Sequence, residues 1–265
     1  MRRAVAAAIV LVVAGIGVAV VVARQGEERE ARCGEGFAAR GARCVPGDPA
    51  RCPPPLAPTE HGCDAPDVRV LVPATSLAVG ASDWEAEGRV AARTLHVQAF
   101  RVDAFEVTRG RQGLRDDPAR AASAMTRAEA AGFCAAEGGR LPTEDEWMVA
   151  AASAMNPPRR YPWGDTGAVC RRAAWGLATG PCARGADGPD TVGAHPDGDS
   201  PLGLHDLAGN VAEWVAAAGA DPGPGVAKGG SWADGLASDL RIWARLEVDP
   251  GARDPRVGLR CAYPP

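Results

Sequence analysis

Glycine (33 residues) and proline (23 residues) make up about a fifth of this 265-residue chain, well above their combined share of roughly 12% in an average globular protein. Glycine costs regular elements conformational entropy, and proline removes a backbone donor. A chain so often interrupted is expected to consist of long loops and turns with few long helices. With 46% hydrophobic and 23% charged residues, it is still a folded chain and not a disordered one. Its 29 basic residues are scattered among 33 acidic ones. That balance argues against the clustered positive surface that phosphate neutralisation needs, so no nucleic-acid partner is expected.

Met1, Arg2 and Arg3 precede an uncharged, Ala/Val/Ile-rich run from Ala4 to Ala23, closed by Arg24. About 20 apolar residues can span a bilayer as a helix, and the leading arginines place the N-terminus in the cytoplasm with everything after Arg24 outside. Residues 1–24 are read as a transmembrane anchor, with a cleaved signal peptide as the alternative, because Val21-Val22-Ala23 is a tolerable cleavage site. The membrane is thus an expected partner through this helix, and the folded part is expected to be periplasmic or extracellular. All eight cysteines (33, 44, 52, 63, 134, 170, 182 and 261) follow the run. An even set in an oxidising compartment reads as disulfides, and none of the four histidines stands near a cysteine pair at zinc-ligand spacing.

Cys33 and Cys44 recur as Cys52 and Cys63 at the same spacing, each unit enclosing Gly- or Pro-rich sequence. Such units cannot build a core, so closure as two disulfide loops, Cys33–Cys44 and Cys52–Cys63, is expected, although spacing alone leaves other connectivities open. Residues 25–70 are read as a stalk, with a small binding module as the alternative, and residues 71–265 as the main domain. There, Thr94 to Thr108 is rich in β-formers and predicts one or two strands. Thr126 with Glu129 and Thr143 with Glu146 are capping boxes that predict two short helices, the first ending at Gly138-Gly139 and the second facing Trp147, Ala150 and Ala151 to the core.

Six segments then follow in order: Phe100 to Thr108, Gly139-Arg140-Leu141-Pro142-Thr143-Glu144-Asp145-Glu146-Trp147, Tyr161-Pro162-Trp163-Gly164-Asp165, Gly203 to Trp214, Lys228-Gly229-Gly230-Ser231-Trp232 and Gly258-Leu259-Arg260-Cys261. The chain over about residues 75 to 263 resembles the formylglycine-generating enzyme family, also called the sulfatase-modifying-factor domain. The resemblance implies a loop-rich α+β fold related to C-type lectins, with low regular secondary structure. It also implies one of two roles: copper- and oxygen-dependent oxidation of a sulfatase cysteine to formylglycine, or a non-oxidising function.

The family's two redox-active cysteines lie three and eight residues beyond the serine of the Gly-Gly-Ser motif. Here those positions, counted from the retained Ser231, are Asp234 and Asp239. Carboxylates are poor ligands for Cu(I), so copper is not expected, no catalytic residue is assigned, and the two aspartates are read as solvated loop carboxylates. Asp206, Gly209, Val211 and Glu213 match the family's calcium loop, in which the outer two supply carboxylates and the inner two carbonyls, so structural calcium is expected. A second calcium loop of the family would begin near Ala174, which has no side-chain ligand.

The resemblance also pairs Cys134 with Cys261, which leaves Cys170 and Cys182 to each other. Trp147, Trp163, Trp214 and Trp232 are expected in the core, while Trp84, Trp175 and Trp243 would line any ligand groove. Arg245 and Arg260 are read as internal ion-pair or carbonyl partners, and His195 and His205 as solvated loop histidines. The favoured function is a membrane-anchored, extracytoplasmic, non-oxidase binding or scaffold domain for an unknown protein or glycan ligand. A formylglycine-generating oxidase is the alternative. A non-haem iron oxygenase would need a facial triad of two histidines and a carboxylate, which the sequence does not display.

Overall fold

The computed structural model describes residues 52–80, 91–155, 159–217 and 223–265, together with the backbone of four short strands nearer the N-terminus. Those four strands form two antiparallel pairs, β1 (Val12–Val13) with β2 (Val18–Ala19) and β3 (Phe37–Arg40) with β4 (Arg43–Pro46). The rest of the expected anchor, and the side chains of Cys33 and Cys44, lie outside the described residues. Among the described residues no helix is long and apolar enough to cross a membrane.

The abundance of glycine and proline keeps the elements short. The longest described strand has five residues and the longest described helix ten. A hairpin of β5 (Ala57–Thr59) and β6 (Gly62–Asp64) precedes β7 (Arg69–Val72). Next come the hairpin of β8 (Thr75–Val79) and β9 (Arg93–Val97), then β10 (Phe100–Asp103). Helices α1 (Arg127–Ala136) and α2 (Glu144–Ala151) follow, both opened by complete capping boxes from Thr126 and Thr143. The chain closes with β11 (Ala212–Trp214), β12 (Gly225–Lys228), β13 (Leu246–Val248), β14 (Val257–Gly258) and β15 (Ala262–Tyr263).

Two sheets organise the domain. One has the order β15-β10-β7 and is antiparallel throughout; the other has the order β13-β12-β11-β14 and is mixed, because β11 and β14 run parallel. Helix α2 buries five successive residues, Trp147 to Ala151, and not only the expected Trp147, Ala150 and Ala151. Met148 and Val149 are buried as well because the helix packs against both β9 and β12 in the core that holds Leu77, Leu95 and Phe100. A helix covered on several sides has no amphipathic stripe to read.

The described part of the expected stalk does not stand free. Leu56 and Cys63 are buried with Phe105, Val192 and Val211, and Arg69 in β7 pairs in register with Asp103 in β10. Among the described residues three disulfides tie the loops: Cys52–Cys63, Cys134–Cys261 and Cys170–Cys182. The second joins α1 to the residue before β15, and both of its cysteines are fully buried. Gly139, next to this join, has to be glycine because a Cβ there would stand 2.6 Å from the Ala262 carbonyl.

The Cys134–Cys261 bridge spans 127 residues, the regime in which a cross-link most restricts the unfolded chain. Replacing both cysteines by alanine is expected to lower the unfolding free energy by about 2–5 kcal/mol in urea melts. A loss below about 1 kcal/mol would mean that packing alone carries this join.

Candidate functional site

The most demanding chemistry in the molecule lies between the two sheets. Arg260, between β14 and β15, is fully buried, and Glu213 at the centre of β11 is 1% exposed. All the guanidinium donors find acceptors. Nε and Nη2 donate to Glu213 Oε1 at 3.0 and 2.8 Å, Nη1 to the carbonyls of Asp103 and Ala104, and Nη2 also to the carbonyl of His205. The Trp147 indole donates to Glu213 Oε2 at 2.7 Å. Burial alone would lower the Arg260 pKa, but Glu213, Glu106 and Asp206 outweigh it and hold the pKa above its ordinary value.

Glu106, just beyond β10, accepts from Asn210 Nδ2 and the Val211 N–H. Burial, with the charges of Asp206 and Glu213 adding to it, pushes its carboxyl well above the usual range. Asp206 accepts from the Gly193 N–H and is also pushed up, chiefly by burial. Asp206 and Asn210 both adopt left-handed backbone with φ of 54°, which Asp and Asn tolerate better than most residues.

Three buried carboxylates thus face one guanidinium, and the excess negative charge must be met by protons or by a cation. Asp206 and the main chain of Gly209 and Val211 carry oxygen donors of the kind calcium takes, while Glu213 is shared with Arg260. Among the described residues no three acidic, histidine or cysteine side chains converge to hold a metal, so a cation here would draw on main-chain carbonyls. Ala174, where a second calcium loop would begin, is buried and gives its carbonyl to the Asn210 N–H.

The Gly-Gly-Ser loop follows β12. Gly229 and Gly230 have φ of 99° and 71°, and a Cβ at Gly230 would stand 2.8 Å from the Asp239 carbonyl. Ser231 is fully buried. Its N–H and its hydroxyl both donate to Asp234 Oδ2, at 2.7 and 2.9 Å, and Asp234 also faces Arg256 at 3.8 Å. Asp234 is therefore a turn-closing acceptor and not the solvated carboxylate expected. Asp239 sits in a short 3-10 turn, Ala237–Leu240, beside the Ser238 hydroxyl. All six cysteines of the described residues are in disulfides, so no described thiol reaches this loop.

Several other expectations change. His195 and His205 are not solvated. His195 lies 3.3 Å from Asp190, and His205 lies 2.8 Å from Asp199 while stacking on Phe105. Trp175 is buried in the core with Tyr161 and Leu240, whereas Trp84 lies outside the described residues. Trp163 is only half-buried, stacked on Tyr161. Arg245 pairs with Glu144 at 3.0 Å but is 48% exposed, so it is a surface partner and not an internal one. Lys228, which opens the Gly-Gly-Ser motif without an expected role there, is buried against Glu144, and burial lowers its pKa to about 8.

Comparison with known proteins decides the family. Residues 111–264 match the family model for the sulfatase-modifying factor enzyme 1-like domain. The chain belongs to this family. It is 37% identical over 143 residues to inactive C-alpha-formylglycine-generating enzyme 2 of Bos taurus, covering 51% of this chain and 47% of that protein. It is also 34% identical over 167 residues to hercynine oxygenase of Mycolicibacterium thermoresistibile, covering 52% of this chain and 35% of that one. The chain therefore matches about half, or less, of these relatives' lengths. Its fold matches PvdO from Pseudomonas aeruginosa with a TM-score of 0.62 at 18% identity, covering 78% of this chain and 96% of that one. Treponema denticola variable protein 1 matches with a TM-score of 0.60 at 20% identity, over 74% and 95%.

The buried ion pair leaves an uncompensated charge if either partner is truncated. Arg260→Ala would leave three buried carboxylates without their counter-ion and is expected to cost about 3–5 kcal/mol in chemical denaturation. Adding Glu213→Gln to it should recover part of that loss, and strictly additive losses would show that the two side chains are not coupled.

Proposed function

We propose that this chain is a membrane-anchored, extracytoplasmic domain of the sulfatase-modifying-factor type that binds or scaffolds a protein or glycan and does not oxidise cysteine. One observation carries the reading. The two positions at which the family's oxidase would need thiols are Asp234 and Asp239, and Asp234 already serves as acceptor for Ser231. The likeness to a relative named as an inactive formylglycine-generating enzyme supports the same conclusion. The three disulfides favour an oxidising compartment, in line with the arginine-led apolar run at the N-terminus.

The likeness to hercynine oxygenase keeps an oxidative relative in view, but the site chemistry does not favour it. His195 and His205 are each spent on a separate aspartate, where an iron site would call for convergent imidazoles.

Full-length protein in detergent is to be incubated with Cu(I), oxygen and a sulfatase-type cysteine peptide. The peptide should emerge unchanged by mass spectrometry, and its conversion to the aldehyde would overturn the non-oxidase reading. Calcium is proposed as the cation of the Asp206 loop, on the strength of the excess buried carboxylates. Chelation should then lower the melting temperature by about 2–4 °C per kcal/mol of lost binding, with recovery on adding calcium. Asp206→Ala should abolish that response. A melting temperature indifferent to chelator would leave protons as the neutralising charge.

A further inference from the structure

The Cys170–Cys182 bridge differs from the other two described bridges in its access to solvent. Cys134 and Cys261 are fully buried and Cys63 is 4% exposed, whereas Cys170 is exposed and Cys182 half-buried. A thiolate can therefore reach a sulfur of this bridge without the domain opening, and exposed bridges are the labile ones.

What the bridge holds gives that access a consequence. Residues 170–182 contain no helix or strand, so the ladder bonds that order other segments are missing from this loop. The bridge closes it across a separation of 12 residues, and the loop in turn holds two neighbours through main-chain bonds. The Asn210 N–H donates to the Ala174 carbonyl at 2.7 Å, the Trp232 N–H to the Asn210 carbonyl at 2.8 Å, and the Leu177 N–H to the Trp232 carbonyl at 2.8 Å. These three bonds run from the bridged loop to the Asp206 loop, on to the Gly-Gly-Ser loop, and back. Side chains follow the same path. Ala174, Leu177 and Trp232 form one buried cluster, with Cys182 and Ala233 packed against it. The contact is so close that a Cβ at Gly209 would stand 2.5 Å from the Ala174 carbonyl.

We propose that Cys170–Cys182 is a redox latch: its reduction by a dithiol frees residues 170–182 and loosens Asn210 and the Gly-Gly-Ser loop, while the rest of the domain stays folded. A thiolate of the dithiol attacks the exposed Cys170 sulfur, the S–S bond breaks, and Cys182 departs as a thiolate that takes up a proton. The second thiol of the reductant, deprotonated, then attacks the mixed disulfide and releases Cys170, which is protonated in turn. Two electrons pass to the bridge, and the reductant leaves as its own disulfide. The Cys134–Cys261 bridge and the Arg260–Glu213 pair involve no residue of this loop, so the opening is local. The inference rests neither on the non-oxidase reading nor on calcium.

The test treats full-length protein in detergent with graded dithiothreitol, caps the thiols with N-ethylmaleimide and maps them by peptide mass spectrometry. Cys170 and Cys182 should be labelled at least about ten-fold faster than Cys134 and Cys261. At the dithiol level that opens the first bridge and not the second, hydrogen exchange should rise at least about five-fold in peptides carrying Leu177, Asn210 and Trp232. It should stay unchanged in those carrying Val102 and Trp147. The double variant Cys170→Ser with Cys182→Ser should show the same raised exchange without dithiol, which separates this bridge from any other; selective reduction of the wild type decides the matter if that variant does not fold. Labelling of Cys170 and Cys182 no faster than that of Cys134 and Cys261, unchanged exchange at Asn210 and Trp232, or exchange raised throughout the domain would each overturn the proposal.

Discussion

The buried pairing of Arg260 with Glu213 is the constraint on which the rest of this structure depends. A guanidinium without solvent is tolerable only when every donor is met, and here the acceptors come from four places: the carboxylate of Glu213 and the carbonyls of Asp103, Ala104 and His205. One side chain therefore fixes the end of β10, the centre of β11 and the loop before Asp206 relative to one another. Trp147 brings α2 to the same carboxylate. A chain with so little regular structure could not obtain this alignment from strand ladders alone, because its ladders are only two to five residues long.

Covalent and local devices complete what the ionic centre begins. The Cys134–Cys261 bridge ties α1 to the last strand, and the two capping boxes satisfy the exposed donors of short helices that would be marginal in isolation. Indole N–H groups act in the same way at longer range. Trp214 donates to the Met125 carbonyl and Trp232 to that of Pro255, so a large apolar surface and one directed bond arrive together.

This arrangement separates fold from chemistry. The ionic centre and the disulfides of the described residues involve neither Asp234 nor Asp239, so the architecture does not rest on the chemistry of these two loop positions. The Gly-Gly-Ser turn even finds a structural use for one of them, since Asp234 closes the turn on Ser231.

Much of the architecture was legible in the sequence because its signals are local. The capping boxes at Thr126 and Thr143 act within three residues, the β-forming run before Thr108 becomes β9 and β10, and the glycine and proline content foretells short elements. The absence of cysteine at positions 234 and 239 is likewise a property of the sequence alone. What only the tertiary structure decided is which distant groups meet. Glu106 reaches Asn210 across 104 positions, and Asp103 reaches Cys261 across 158. Met148 and Val149 are buried because two elements cover α2, which no periodicity records. Pairing over such separations depends on how the sheets and loops pack and not on residue type or spacing, and for that reason the roles of Lys228 and Glu106 became visible only in the folded chain.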